Sequence, residues 1–174
     1  MILRDAIQFM EQAHAGQIRK LSGKPYSVHP RAVVHTLATM VRGVDLTTLV
    51  AGALHDVVED TPYDIFDIQR RFGPQVSTLV LQVTNAKQPA LNRTQRAKYQ
   101  RDKLAIITPQ AQNIKYADIL DNITNLATDD PKFAAVYLPE KRLQLAVMGD
   151  GYAPLRGHVW NQLLTEERIL RERR

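Results

Sequence analysis

The chain of 174 residues has no cysteine. That absence excludes disulfide scaffolds, thiolate metal sites and cysteine nucleophiles, and leaves His, Asp and Glu for any metal chemistry. No apolar run approaches the roughly 20 residues that span a bilayer, so no membrane association is expected. The opening Met1-Ile2-Leu3-Arg4-Asp5 lacks the basic-then-apolar pattern of a secretory signal, and the expected location is the cytoplasm. Acidic residues are in deficit: 23 Lys and Arg against 18 Asp and Glu leave a formal charge of +5. The expected partner is therefore an anion, and charge alone does not separate a nucleotide from a nucleic acid. Hydrophobic residues at 44% and charged residues at 24% are ordinary for a globular chain, which predicts one domain over residues 1–174.

Period-2 alternation is scarce, while apolar residues recur at three and four spacing almost throughout. The predicted fold is all-α, a single helical bundle. Helices are expected over 2–15, with Gly16 as a stop, and from His29-Pro30 to about Val41. Asp45 caps a third, from Leu46 to about Glu59. Others are expected near 63–72, 75–85, 92–107, 108–127, 139–148 and 153–171, with 87–91 as a loop.

The most informative stretch is Ala53-Leu54-His55-Asp56-Val57-Val58-Glu59-Asp60-Thr61, at the end of that third helix. Residues four apart share a helical face, so His55 is expected over Glu59 and Asp56 over Asp60. Acids repel one another there and meet the unfavourable end of the helix dipole, so a bound cation would account for them. A second polar group, Asp118 and Asn122, stands one turn apart between apolar flanks, and His29 lies at a helix start. His29, His55, Asp56 and Asp118 together form an N2O2 donor set suited to Mn²⁺, Fe²⁺ or Zn²⁺. His14, His35 and His158, each isolated, are read as packed or surface residues.

These motifs resemble those of the HD-domain metal phosphohydrolases, in the branch of Rel/Spo-type hydrolases that act on the alarmone (p)ppGpp. His14-Ala-Gly-Gln-Ile-Arg19-Lys20-Leu-Ser-Gly-Lys24-Pro-Tyr26-Ser-Val-His29-Pro30 is similar to the opening motif of that family, and His55-Asp56 to the pair that names it. Glu59-Asp60-Thr61, Phe72-Gly73, Val83-Thr84 and Ile114-Lys115-Tyr116-Ala117-Asp118 through Asn122 follow in family order, over about residues 5–126. The chain departs at Asn85, where the family often has Lys, and at Tyr116 and Asp121, where it often has Leu and a basic residue. Those departures are read as touching substrate contacts more than metal ligands.

The resemblance implies a small alarmone hydrolase with manganese as cofactor, Zn²⁺ or Fe²⁺ being the lesser choices. His29, His55, Asp56 and Asp118 would be the metal ligands, Glu59 and Asp60 the catalytic carboxylates. Arg19, Lys20 and, more weakly, Lys24 would meet the base and phosphates, with Tyr26 and Asn122 as ribose or base contacts. The basic segment with Lys87, Arg93, Arg96, Lys98, Arg101 and Lys103 either holds the distal pyrophosphate or is a solvated helix face. Two rival readings stay open: hydrolysis of another nucleotide, such as an adenosine alarmone, and a nucleic-acid-binding module with a vestigial site.

Overall fold

The computed structural model describes residues 2–85 and 89–173, and among them the regular structure is helical, apart from one isolated bridge pairing Ile18 with Pro25. The order is α1 (Ile2–Ala13), α2 (Val28–Met40), α3 (Leu46–Leu54), α4 (Val57–Asp60), α5 (Ile65–Phe72), α6 (Pro74–Val83), α7 (Arg93–Leu104), α8 (Pro109–Ile123), α9 (Leu126–Asp129), α10 (Pro131–Val147) and α11 (Ala153–Glu172). The all-α architecture read from the hydrophobic spacing is the one observed.

The hub is α8. Thr108 caps it by accepting from the Ala111 N–H, and Pro109 occupies its first turn. Its buried residues include Ala111, Ile114, Tyr116, Ala117, Ile119 and Ile123, so apolar groups point in every direction, as in a helix enclosed by others. Around it pack α2, α3, α6 and α11. The α3 helix begins at Asp45, whose carboxylate accepts from the Thr48 N–H at 2.7 Å, and it is buried along Val50 to Leu54. Gly52 lies where α3 meets α2: a Cβ there would come within 2.7 Å of Leu37 Cδ1, so with any larger residue the Leu37 side chain would have to shift.

Three expected boundaries change. The third helix does not run on to Glu59; it ends at Leu54, and the separate turn α4 follows. The His55 imidazole Nδ1 donates to the Gly52 carbonyl at 2.9 Å, which ties the side chain back onto the last turn. The Asp56 carbonyl then accepts from the Glu59 and Asp60 N–H groups, starting a new helix. Likewise α8 stops at Ile123, because Asn125 adopts a left-handed conformation with φ 64°. The third change is at α10, which starts at Pro131 rather than Pro139, capped by the Asp130 carboxylate on the Phe133 N–H. Pro139 sits inside it on an exposed face. The expected loop at 87–91 falls partly outside the described residues.

The left-handed corner is held from the far end of the chain. Glu166 of α11, 1% exposed, accepts from the Asn125 N–H, the Ala127 N–H and the Gln162 amide, each at 2.9 Å. Glu166→Ala leaves two backbone donors unpartnered, and stability is expected to fall by about 2–4 kcal/mol; urea unfolding checks this, and a change below about 0.5 kcal/mol would contradict it.

Candidate active site

Two imidazoles from separate helices meet in the core. His29 comes from the first turn of α2 and His55 from the joint between α3 and α4, and their Nε2 atoms stand 3.2 Å apart. The partners of the other ring nitrogens define the tautomers. His29 Nδ1 lies 2.7 Å from Asp121 Oδ2 and His55 Nδ1 lies 2.9 Å from the Gly52 carbonyl; both partners accept only, so both Nδ1 atoms carry hydrogen. In the neutral rings both Nε2 lone pairs therefore face each other. Asp56 Oδ2 joins them at 3.1 Å from His55 and 3.4 Å from His29, and Asp118 Oδ1 at 3.9 Å and 3.4 Å.

Donor atoms of His29, His55 and Asp56 lie within 4.8 Å of one another, close enough to hold a metal ion. Four acceptors converge with no hydrogen of their own to place between them, and a cation relieves that repulsion. Without one, a proton has to serve. Burial by itself would lower the His29 pKa, yet Asp118, Asp121 and Asp56 outweigh it and push it up to about 11. Burial likewise opposes ionisation of Asp118, but the Lys115 ammonium, 2.5 Å from its other oxygen, and the facing imidazoles hold its carboxyl well below the usual range. Asp56 is held low against burial by the same two imidazoles.

The two carboxylates on α4 differ from these. Glu59 accepts from the Asn85 backbone N–H at 2.9 Å and its amide at 3.2 Å, yet burial keeps its pKa raised. Asp60 is also raised, by burial and by the neighbouring Asp56 charge. Tyr26 bridges the pair of aspartates, its hydroxyl donating to Asp56 Oδ2 at 2.6 Å and reaching Asp60 Oδ2 at 3.3 Å. The buried His14 ring stacks on Tyr26 with centroids 4.7 Å apart, while His35 and His158 are exposed.

A cleft of about 820 Å³ opens beside this cluster, lined by Arg19, Lys20, Tyr26, Asp60, Asn122 and Tyr137 among others. Five of the site residues expected from sequence thus line one concavity. Lys24 is exposed and does not line the cleft; its carbonyl instead accepts from the Arg19 N–H. Arg96 and Lys98 sit on exposed positions of α7, Arg96 bonded to the Leu91 carbonyl and Lys98 paired with Asp102. Neither lines the cleft. Arg93 pairs with Glu140, Lys103 donates to the Leu81 and Thr84 carbonyls, and Lys87 lies outside the described residues.

Three contributors escaped the sequence reading. Asp121 supports His29, Lys115 supports Asp118, and Asn85 holds Glu59. Asp121 and Asn85 stood out only as departures from the family pattern, and the contacts they make are not visible until the helices are packed. A fourth, Lys141, lies over the Tyr137 ring at 4.6 Å, where burial and Lys115 lower its pKa to about 8.

Comparison with known proteins agrees with this geometry. The HD-domain family profile matches residues 6–146, and the chain belongs to the HD-domain family. Among its relatives is the Drosophila melanogaster guanosine-3′,5′-bis(diphosphate) 3′-pyrophosphohydrolase MESH1, 33% identical over 97% of this chain and 93% of that protein. A solved structure described as a metazoan ortholog of SpoT that hydrolyzes ppGpp superimposes with a TM-score of 0.79 at 30% identity, covering 99% of this chain and 95% of that one. The probable GTP pyrophosphokinase of Mycobacterium leprae is 38% identical over 72% of this chain, but the chain spans only 16% of that protein's length.

Replacing His55 or Asp56 by Ala removes a donor while leaving the apolar face of α3 intact. Each variant is expected to lose tightly bound divalent metal yet keep its helical circular dichroism; metal analysis after gel filtration checks this, and a full metal complement in either would refute the site.

Proposed function

We propose that this chain is a metal-dependent hydrolase that removes the 3′-pyrophosphate of the guanosine alarmones ppGpp and pppGpp, giving GDP or GTP and free pyrophosphate. The observation that carries the reading is the four-acceptor cluster at the edge of a nucleotide-sized cleft, in a chain that aligns nearly end to end with alarmone hydrolases. Mn²⁺ is the proposed ion, held by His29, His55, Asp56 and Asp118, since two imidazoles and two carboxylates suit a borderline-hard cation. Bound there, the ion supplies an acidified water and neutralises charge on phosphoryl oxygens.

The remaining roles fall to side chains. Glu59 and Asp60 lie just beyond the candidate metal cluster with pKa values raised by burial, a direction that suits carboxyls that exchange protons during turnover. One takes the proton of the attacking water; the other returns a proton to the departing 3′-oxygen. Water oxygen bonds to the proximal phosphorus, the bond from phosphorus to the ribose 3′-oxygen breaks, and the pyrophosphate leaves. Lys20, Tyr26 and Asn122 line the cleft; in this reading Lys20 supplies positive charge for the nucleotide phosphates, and Tyr26 and Asn122 are the ribose or base contacts. The charged groups of α7 described above are largely engaged with other residues, which weighs against a nucleic-acid module built on that helix.

Glu59→Gln and Asp60→Asn are expected to retain Mn²⁺ and lower turnover of ppGpp about a hundredfold or more. Loss of the metal in either would make that residue a ligand instead. In ¹⁸O-water, label is expected in pyrophosphate with none in the ribose hydroxyl. A substrate panel completes the test: no turnover of any nucleotide bearing a 3′-pyrophosphate, with the metal loaded, would overturn the reading, and preference for an adenosine alarmone would correct the base.

A further inference from the structure

The Arg19 guanidinium is not free in the cleft. Its NH1 donates to Asp121 Oδ2 at 2.7 Å and its NH2 to Asn122 Oδ1 at 3.1 Å. The same Asp121 oxygen accepts from His29 Nδ1 at 2.7 Å. One carboxylate oxygen thus joins a cleft arginine to a buried imidazole that faces the metal cluster. Arg19 is aimed by its own turn: its N–H donates to the Lys24 carbonyl, its carbonyl accepts from the Gly23 N–H, and Ile18 pairs with Pro25 across the turn. Asp121 arrives from α8, 102 residues along the chain.

We propose that Asp121 and Arg19 are a positioning pair for His29, which rests on the metal-site part of the reading above. A carboxylate on the far nitrogen of a metal-binding imidazole does two things: it fixes the tautomer that presents Nε2, and it raises the basicity of that nitrogen. Arg19, bonded to the same oxygen, holds the carboxylate turned toward Nδ1, so that it does not swing into the cluster as a competing oxygen. The rotation of His29 needs such a restraint, because its ring enters from the first turn of α2, whose N-cap residue Ser27 makes no side-chain cap bond. His55, by contrast, is oriented by a backbone carbonyl and has no counterpart to Asp121. The two histidines are therefore held by different means, and the one on α2 depends on a side chain from another helix and on a loop at the cleft.

The test is Mn²⁺ titration calorimetry of the full chain as wild type, Asp121→Asn, Asp121→Ala, Arg19→Met and the double variant Arg19→Met with Asp121→Asn, alongside ppGpp turnover as a function of Mn²⁺. Asp121→Ala is expected to weaken Mn²⁺ binding about ten- to a hundredfold. Asp121→Asn weakens it less, since its carbonyl still accepts from Nδ1, and it carries the test should the alanine variant fail to fold. Arg19→Met lowers metal affinity several-fold, and the double variant is no weaker than Asp121→Asn alone. Saturating Mn²⁺ restores turnover in Asp121→Asn, which a general loss of structure would not permit. Wild-type Mn²⁺ affinity in both Asp121 variants overturns the proposal. So does an Arg19→Met variant that raises only the KM for the nucleotide, which would make Arg19 a substrate contact and no more. Absence of Mn²⁺ binding by the wild type brings down the metal reading and this pair with it, whereas failure to turn over ppGpp with normal metal binding brings down the substrate alone.

Discussion

Two buried imidazole nitrogens facing each other at 3.2 Å are the constraint around which the rest of the molecule is arranged. Their lone pairs repel unless a cation lies between them, so the fold has to force the approach from outside. Gly52 leaves room for the Leu37 side chain where α3 meets α2. The packing of α8 against both helices brings Asp118 to the same point, with Lys115 beside it as a buried counter-charge. The ring Nδ1 atoms are tied outward to Asp121 and the Gly52 carbonyl, while the cluster-facing oxygens of Asp56 and Asp118 accept from Tyr26 and Asn122, each at 2.6 Å.

Much of this was legible in the residue order. The adjacent His55 and Asp56 in an apolar segment, the following Glu59 and Asp60, and Asp118 between apolar flanks all announced a polar cluster inside a helical core, and the fold brings His55, Asp56 and Asp118 together, though not on the single helical face expected for His55 to Asp60. The helix through Glu59 did not survive, because periodicity does not register a side chain bonding back to its own helix, as His55 does to Gly52. The basic stretch before residue 104 was harder for a different reason. Composition counts charges without showing which are already paired, and Arg93 and Lys98 are. Asp121 was read by its difference from a family pattern and placed with the substrate contacts, whereas one of its oxygens accepts from the candidate ligand His29 as closely as from Arg19.

The charge excess of the chain is also distributed with more discrimination than the total of +5 conveys. Around the cluster the carboxylates Asp56, Asp118 and Asp121 are matched by imidazoles, Lys115 and Arg19. Lys141, above the Tyr137 ring, donates to the Gln144 side-chain carbonyl, and burial with the nearby Lys115 charge lowers its pKa to about 8.

The α4 turn has a thermodynamic consequence. It is four residues long, far below the length at which a helix sustains itself, and it carries both Glu59 and Asp60. Its order is borrowed from Asp56 at one end and from Asn85 through Glu59 at the other. Opening this segment exposes little apolar core beyond Val57 and does not require the bundle to unfold. Because α4 starts from the Asp56 backbone and carries Glu59 and Asp60, amide exchange in this one turn would report its opening separately from that of the bundle.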